Sequence, residues 1–209
     1  MDDHWRRTFA AWAQTPGYRR KCWQAHRRIK AALATAGKPY AAWSGGKDST
    51  VMLDLVLCQR PGIAVYRSRG RHPRAVEREL AVIAEALGIR NLILEPERSM
   101  GTHAAIWRER GYDLVFVGLR AEESCGRRGR IGRGESIMIR ESWPLQDWTW
   151  MDVWAYIVEH DIPYPSVYDR EAPLVGYERA RFGHLFDERM HPYGTESVHN
   201  VLHWRWRNG

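Results

Sequence analysis

Cysteine is scarce in this chain of 209 residues. Cys22, Cys58 and Cys125 are odd in number and scattered, with no CxxC pair among them. A disulfide framework and a thiolate zinc site are therefore excluded as organising devices. No apolar run approaches the roughly 18 residues that a membrane helix needs, so no membrane partner is expected. Met1 to Gln14 carry Asp, His and Arg where a secretory signal would place its apolar core, which points to a cytoplasmic protein. Acidic residues are also in deficit: 25 Asp and Glu stand against 32 Lys and Arg, a formal charge of +7 with a pI near 9.6. That balance suits a polyanionic partner or substrate, nucleotide or nucleic acid, and says nothing about fold.

The chain is 44% hydrophobic, is rich in Trp with eleven, and has length for one α/β domain with a sizeable core but not for two. Residues 4 to 36 read as two helices broken around Thr15-Pro16-Gly17. The second, Tyr18 to Ala36, places Trp23, His26, Ile29 and Leu33 at helical spacing against a face of Arg and Lys. Strands are expected at the approach to Trp43, at Ile63–Tyr66, Asn91–Leu94, Asp113–Gly118 and Ser136–Glu141. Helices alternate with them at Ser49–Cys58, Pro73–Leu87 and Thr102–Arg110. Such alternation implies a doubly wound, mostly parallel five-stranded sheet with right-handed crossovers. Thr149, with Asp152 three residues on, reads as the capped start of a further helix that Ile162-Pro163-Tyr164-Pro165 ends.

The stretch Ala41 to Thr50, AAWSGGKDST, joins a strand to a helix through two glycines. Gly45 and Gly46 can adopt positive φ and let backbone N–H groups approach a ligand. The helix start beyond them offers orphan N–H donors and the positive end of its dipole. That combination binds an anion, most naturally phosphate. Ser44 and Ser49 add hydroxyls, Lys47 adds a charge, and Asp48 is suited to hold a Mg²⁺ that bridges phosphate oxygens. The spacing is too short for a Walker loop.

In a parallel sheet the ligand lies beyond the carboxyl ends of the strands, so loops leaving those ends should complete the site. After the second strand run Arg67, Arg69, Arg71 and Arg74, whose forks match phosphate or sulfate oxygens. After the fourth comes Gly118-Leu119-Arg120-Ala121-Glu122-Glu123-Ser124-Cys125-Gly126-Arg127, continuing through Arg128, Arg130 and Arg133. The Gly-Arg alternation there suggests a mobile lid.

Ser44-Gly45-Gly46-Lys47-Asp48-Ser49 resembles the PP-loop of the adenine nucleotide alpha hydrolase superfamily. Gly118-Leu119-Arg120 with Glu122, Ser124 and Arg127 is similar to a motif of the phosphoadenosine phosphosulfate (PAPS) reductase family. So are Pro144-Leu145, Asp147-Trp148-Thr149, Asp152-Val153-Trp154, Tyr156-Ile157 and Ile162-Pro163-Tyr164. The resemblance spans about residues 38 to 170. It implies an adenine nucleotide site with ATP and Mg²⁺ as cofactors, built from Ser44, Gly45, Gly46, Lys47, Asp48, Ser49, Gly118, Arg120, Glu122, Ser124, Arg127, Asp147 and Trp148. Lys47, Arg120 and Arg127 take the catalytic roles and Asp48 the metal. Residues 1–36 are then a helical segment packed on a nucleotide-binding domain at 37–170, with 171–209 an extension of that domain.

Reductases of this family carry a catalytic cysteine in a C-terminal Cys-Gly motif, some with paired cysteines for an iron–sulfur cluster. Here no cysteine follows Cys125, and no such cluster is expected. The loop after strand two also departs from the family pattern. The leading expectation is cleavage of ATP between the α and β phosphates to activate an acceptor. Sulfonucleotide binding or reduction, and a nucleotide-dependent subunit in nucleic-acid modification or defence, remain alternatives. Nucleic acid, an anionic acceptor and self-association are the open partners, and Trp204-Arg205-Trp206-Arg207 is a candidate strand-holding tail.

Overall fold

A computed structural model describes residues 1–69, 74–96, 105, 107–133, 139–180 and 182. Helix α1 (Asp3–Ala13) is capped by Asp2, whose carboxylate accepts from the Trp5 N–H at 2.9 Å. Helix α2 (Pro16–Ala34) starts at Thr15 with Pro16 in its first turn, the break read from sequence. Then follow β1 (Pro39–Ala42), α3 (Lys47–Leu57), β2 (Ala64–Arg69), α4 (Arg74–Ala86), β3 (Leu92–Pro96) and β4 (Leu114–Val117). A 3₁₀ turn (Ala121–Glu123), α5 (Cys125–Arg133), β5 (Arg140–Ser142), α6 (Trp150–Glu159) and α7 (Val167–Val175) complete the described chain. The helix expected at Thr102–Arg110 falls mostly outside the described residues, but 107–109 are helical.

The five strands lie in the order β3-β2-β1-β4-β5, and every ladder is parallel. The doubly wound sheet expected from the alternation is therefore present. Ala41 pairs with Val65 on one side and Phe116 on the other, at the centre of the sheet. Side chains alternate across it, as strand geometry requires. Ala41, Val65, Leu114 and Phe116 join one buried cluster with residues of α2, α3, α4, α6 and α7. Tyr40, Ala64 and Val115 join a second with Trp107. Helix α3 is apolar nearly all round, with Val51, Met52, Leu53, Leu55 and Val56 fully buried, because neighbours enclose it. None of the described helices is long and apolar enough to cross a membrane.

Chain order takes β2 and β3 to one side of β1 and β4 and β5 to the other. The gap between the carboxyl ends of β1 and β4 is thus the topological switch point. At the opposite edge, Asp113 accepts from the backbone N–H groups of Gly37 and Lys38 at 2.6 and 2.9 Å. It clips the entry of β1 to that of β4. Those bonds, the Gly37 amide foremost, hold the carboxyl below its ordinary pKa.

Two expectations change. The fifth strand is Arg140–Ser142, later than Ser136–Glu141, and residues 136–138 lie outside the described set. Trp23 does not face the core: it is 57% exposed. Tyr18, Cys22, Ala25 and Ile29 form the inner face of α2, and one step past Cys22 turns ~100° round the helix. His26 is exposed for the same reason.

The capping box read at Thr149 and Asp152 is present, and tertiary structure adds to it. The buried Asp152 carboxylate accepts from Lys21 Nζ at 2.6 Å and Trp12 Nε1 at 2.9 Å, joining α1, α2 and α6. Burial alone would raise its pKa, but Lys21, the Thr149 N–H and Trp12 outweigh that and hold it low. A depressed folded pKa contributes stability above the unfolded value near ~4, which is lost as pH falls through the folded one. Asp152→Ala should cost ~2–4 kcal/mol, read as a lower urea midpoint. The wild-type thermal midpoint should also fall more steeply than that of Asp152→Asn as pH drops below ~4.

Candidate active site

Strand β1 runs out at the carboxyl edge through Trp43, whose N–H donates to the Tyr66 carbonyl at 2.8 Å. Its indole N–H donates to Thr50 Oγ1 at 2.9 Å, tying strand to helix across the loop. Between them the chain reverses at Gly45, whose φ is +85°. A Cβ there would lie 2.5 Å from a Leu80 methyl, so glycine is required twice over. Gly46 is the cap residue of α3 and no side chain caps that helix. Ser49 Oγ donates to the Gly46 carbonyl at 2.9 Å and lies 3.0 Å from Ser44 Oγ, which fixes the loop's shape from within. The product is a helix start at the switch point, next to the carboxyl ends of β1 and β4.

The loop leaving β4 meets this turn in close contact. A Cβ on Gly118 would sit 2.8 Å from both the Asp48 carbonyl oxygen and Ser49 Cα. Only glycine lets the two loops touch. The contact brings up Arg120, itself only 2% exposed. Its Nε donates to Asp48 Oδ1 at 2.6 Å and its Nη1 to Glu122 Oε2 at 2.6 Å. Burial would lower the guanidinium's pKa, but Asp48, Glu123 and Glu122 more than compensate, so it is held above its ordinary value. Asp48 Oδ2 lies 3.3 Å from Lys47 Nζ. Arg127 pairs with Glu123. Lys47, Arg120 and Arg127 therefore each have a carboxylate neighbour, and the site is close to electroneutral.

The family model described as the phosphoadenosine phosphosulfate reductase domain matches residues 102–180. An adenosine 5′-phosphosulfate reductase of Geobacillus thermodenitrificans is 25% identical, over 65% of this chain and 69% of its own length. Sulfate adenylyltransferase subunit 2 of Mesorhizobium japonicum is also 25% identical, over 84% of this chain and 74% of its own. The PAPS reductase of Candida auris superposes with a TM-score of 0.53 at 17% identity, over 70% of this chain and 84% of that one, a likeness of fold. These matches support a resemblance to the PAPS reductase family. The relatives include both reductases and adenylyltransferase subunits, so the resemblance alone leaves the reaction type open.

Against that family pattern, the structure gathers Ser44, Gly45, Gly46, Lys47, Asp48, Ser49, Gly118, Arg120 and Glu122 at one place. Ser124 Oγ accepts from the Arg127 N–H at 3.2 Å and starts α5. The stretch read as a mobile lid is this helix, Cys125–Arg133, anchored by Arg127 to Glu123 and Arg130 to Glu141. Those contacts offset part of the helix cost of its three glycines, about 1 kcal/mol each. Asp147 and Trp148 stand apart. Asp147 accepts from Arg28 of α2 at 2.6 and 3.1 Å, and Trp148 is buried against Tyr18 and Tyr156. A buried ring offers no surface to a ligand, so this pair supports the loops from behind. In the expected arginine cluster, Arg67 is buried and paired with Glu77 at 2.7 Å, over the Trp43 ring. Residues 70–73 and the Trp-Arg tail lie outside the described set.

Sequence reasoning missed what covers the loop. The Tyr168 hydroxyl accepts from the Lys47 N–H at 3.0 Å, and the Ala180 carbonyl accepts from Lys47 Nζ at 3.3 Å. Burial pushes the Tyr168 phenol above its ordinary pKa, so the oxygen at the helix start is a neutral hydroxyl. Phe182 closes the other side, 3.2 Å from the Cβ position of Gly45. No motif could flag Tyr168, 121 residues from its partner. Gly118→Ala should lower stability by ~1–3 kcal/mol and weaken mononucleotide binding, read by thermal unfolding and calorimetric titration. Gly62→Ala, with open space around its Cβ position, should do neither.

Proposed function

We propose that the chain binds an adenine nucleotide at the Ser44–Ser49 turn and catalyses adenylyl transfer. An acceptor oxygen attacks the α-phosphorus, the bond from that phosphorus to the bridging oxygen breaks, and pyrophosphate leaves with the electron pair. The observation that carries this reading is the contact of Asp48 and Ser49, in the first turn of α3, with Arg120 and Gly118 at the switch point. An ammonium and a guanidinium beside a helix start are groups of the kind that stabilise charge on a transferring phosphoryl group. The relatives named as adenylyltransferase subunits, aligned over most of this chain, support the same direction.

Among the described residues no group of three or more His, Cys, Asp or Glu could hold a metal ion. Asp48 alone is placed at the helix start, and its two oxygens accept from Arg120 and contact Lys47. This donor set fits Mg²⁺ only as a cation that arrives with the nucleotide, held mostly by phosphates and water with one carboxylate. Near electroneutrality gives the reason: the three cations are already matched, so added polyphosphate charge needs its own counter-ion. Lys47 and Arg120 would bind and orient the phosphates, while Gly45 and Gly46 allow their close approach.

A thiolate reaction, as in the reductase relatives, has one placed candidate. Burial pushes the Cys22 thiol up to about 11 and raises that of Cys58, and neither stands at the carboxyl edge. Cys125 is exposed at the start of α5, beside Ser124. Incubation with Mg-ATP and, separately, with PAPS and a dithiol reductant, each followed by mass spectrometry, tests the choice. With water as the acceptor, the expected result is AMP and pyrophosphate from ATP, lost in both Lys47→Ala and Asp48→Ala. Unchanged turnover in those two variants, or sulfite release from PAPS that Cys125→Ser abolishes, would overturn adenylyl transfer.

A further inference from the structure

Helix α2 carries six basic side chains, Arg19, Arg20, Lys21, Arg27, Arg28 and Lys30, and no acidic one. Two of the six are spent inside the molecule: Lys21 on Asp152 and Arg28 on Asp147. Arg19, Arg20, Arg27 and Lys30 are exposed, and among the described residues none has a carboxylate partner. At ~100° per residue, these four and Trp23 fall within a ~100° arc, opposite Ala25 and Ile29. Along the axis they span ~16 Å. Trp23 is 57% exposed in the middle of the stripe, with the Arg27 guanidinium 4.7 Å from its ring centroid.

This arrangement is costly if it only faces water. Arg27 and Lys30 are like charges three residues apart, which weakens a helix by a few tenths of a kcal/mol. An exposed indole adds no core, and the inner face of α2 is complete without it. A second copy of the chain is a poor occupant, because a two-fold contact would bring like charges together. What the stripe matches is a flexible polyanion with flat rings: cations at phosphate spacing, and an aromatic face on which a base stacks.

We propose that the outer face of α2 is a single-stranded nucleic-acid binding site, with Trp23 stacking on a base and Arg19, Arg20, Arg27 and Lys30 pairing with the backbone phosphates. The site is separate from the nucleotide site and does not require it. Binding should follow the sequence-tolerant, salt-sensitive pattern of stacking platforms in basic grooves.

The test uses the full chain without nucleotide and a fluorescein-labelled oligothymidylate of about 16 nucleotides, read by fluorescence anisotropy. Between about 50 mM and 200 mM salt, four cations neutralising about three phosphates should give a log–log slope near −2. Arg20→Glu with Arg27→Glu should weaken binding by about ten-fold or more. Trp23→Ala should weaken it by about ten-fold, and Trp23→Phe should restore most of the loss. The matched charge change at exposed Arg60 and Arg90 should have little effect. Circular dichroism of each variant checks that the fold is kept.

Three outcomes overturn the proposal: no binding at the lower salt, equal weakening by the Arg60 and Arg90 change, or no dependence on Trp23. Displacement of the oligonucleotide by polyglutamate at equal charge concentration also rejects it, and assigns the face to an acidic protein. Because AMP formation is not the readout, failure here leaves adenylyl transfer standing, and failure of that reading leaves this one.

Discussion

The ion pair between Asp48 and Arg120 is the constraint on which the carboxyl edge of this sheet depends. Asp48 stands in the first turn of α3 and Arg120 follows β4, so the pair spans the switch point of the sheet. It forms because Gly118 has no side chain and the two loops can touch. Both charges are largely withdrawn from water, which makes their mutual orientation stiff and either one costly to leave alone. A buried guanidinium with one face fixed by carboxylates is pre-aimed, and little reorganisation is needed when charge develops beside it.

The same economy explains what covers the turn. An uncapped helix start is an unsatisfied positive end, and the protein meets it with the neutral hydroxyl of Tyr168. Lys47, buried beneath, donates to the Ala180 carbonyl. Both are weak acceptors compared with a phosphate oxygen, since charge-assisted bonds are roughly twice as strong as neutral ones. An anion can therefore compete for these donors without the helix start being left bare in its absence. Tyr168, Ala180 and Phe182 thus belong with the turn physically, although they lie past the stretch in which the glycine turn and the Gly118–Arg127 segment occur.

Helix α2 shows how one element can serve two surroundings. Its inner face is held by packing and by two ion pairs to the loop and cap that precede and open α6, through Asp147 and Asp152. Its outer face retains uncompensated charge and an indole in water. The first arrangement accounts for Asp147 and Trp148 lying beside each other in sequence while neither reaches the glycine turn. One anchors a helix, and the other fills the core behind it.

The fold was legible in the sequence because its signals are local. Alternation of apolar runs with amphipathic ones, Pro16 at a helix start and the Thr149–Asp152 box each act within a few residues. The glycine turn was legible for the same reason: positive φ and close backbone approach restrict residue choice at the spot where they are needed. The family motifs likewise located Arg120, but not its partners. Tertiary structure alone decided that Asp48 faces Arg120, that Tyr168 occupies the amide of Lys47, and that Gly-Arg alternation becomes α5 through ion pairs at its ends. It also turned Trp23 outward, because Trp23 follows Cys22 of the inner face by one residue and so lies ~100° round the helix. Local chemistry sets conformation, whereas the pairing of distant charges follows from which strands become neighbours.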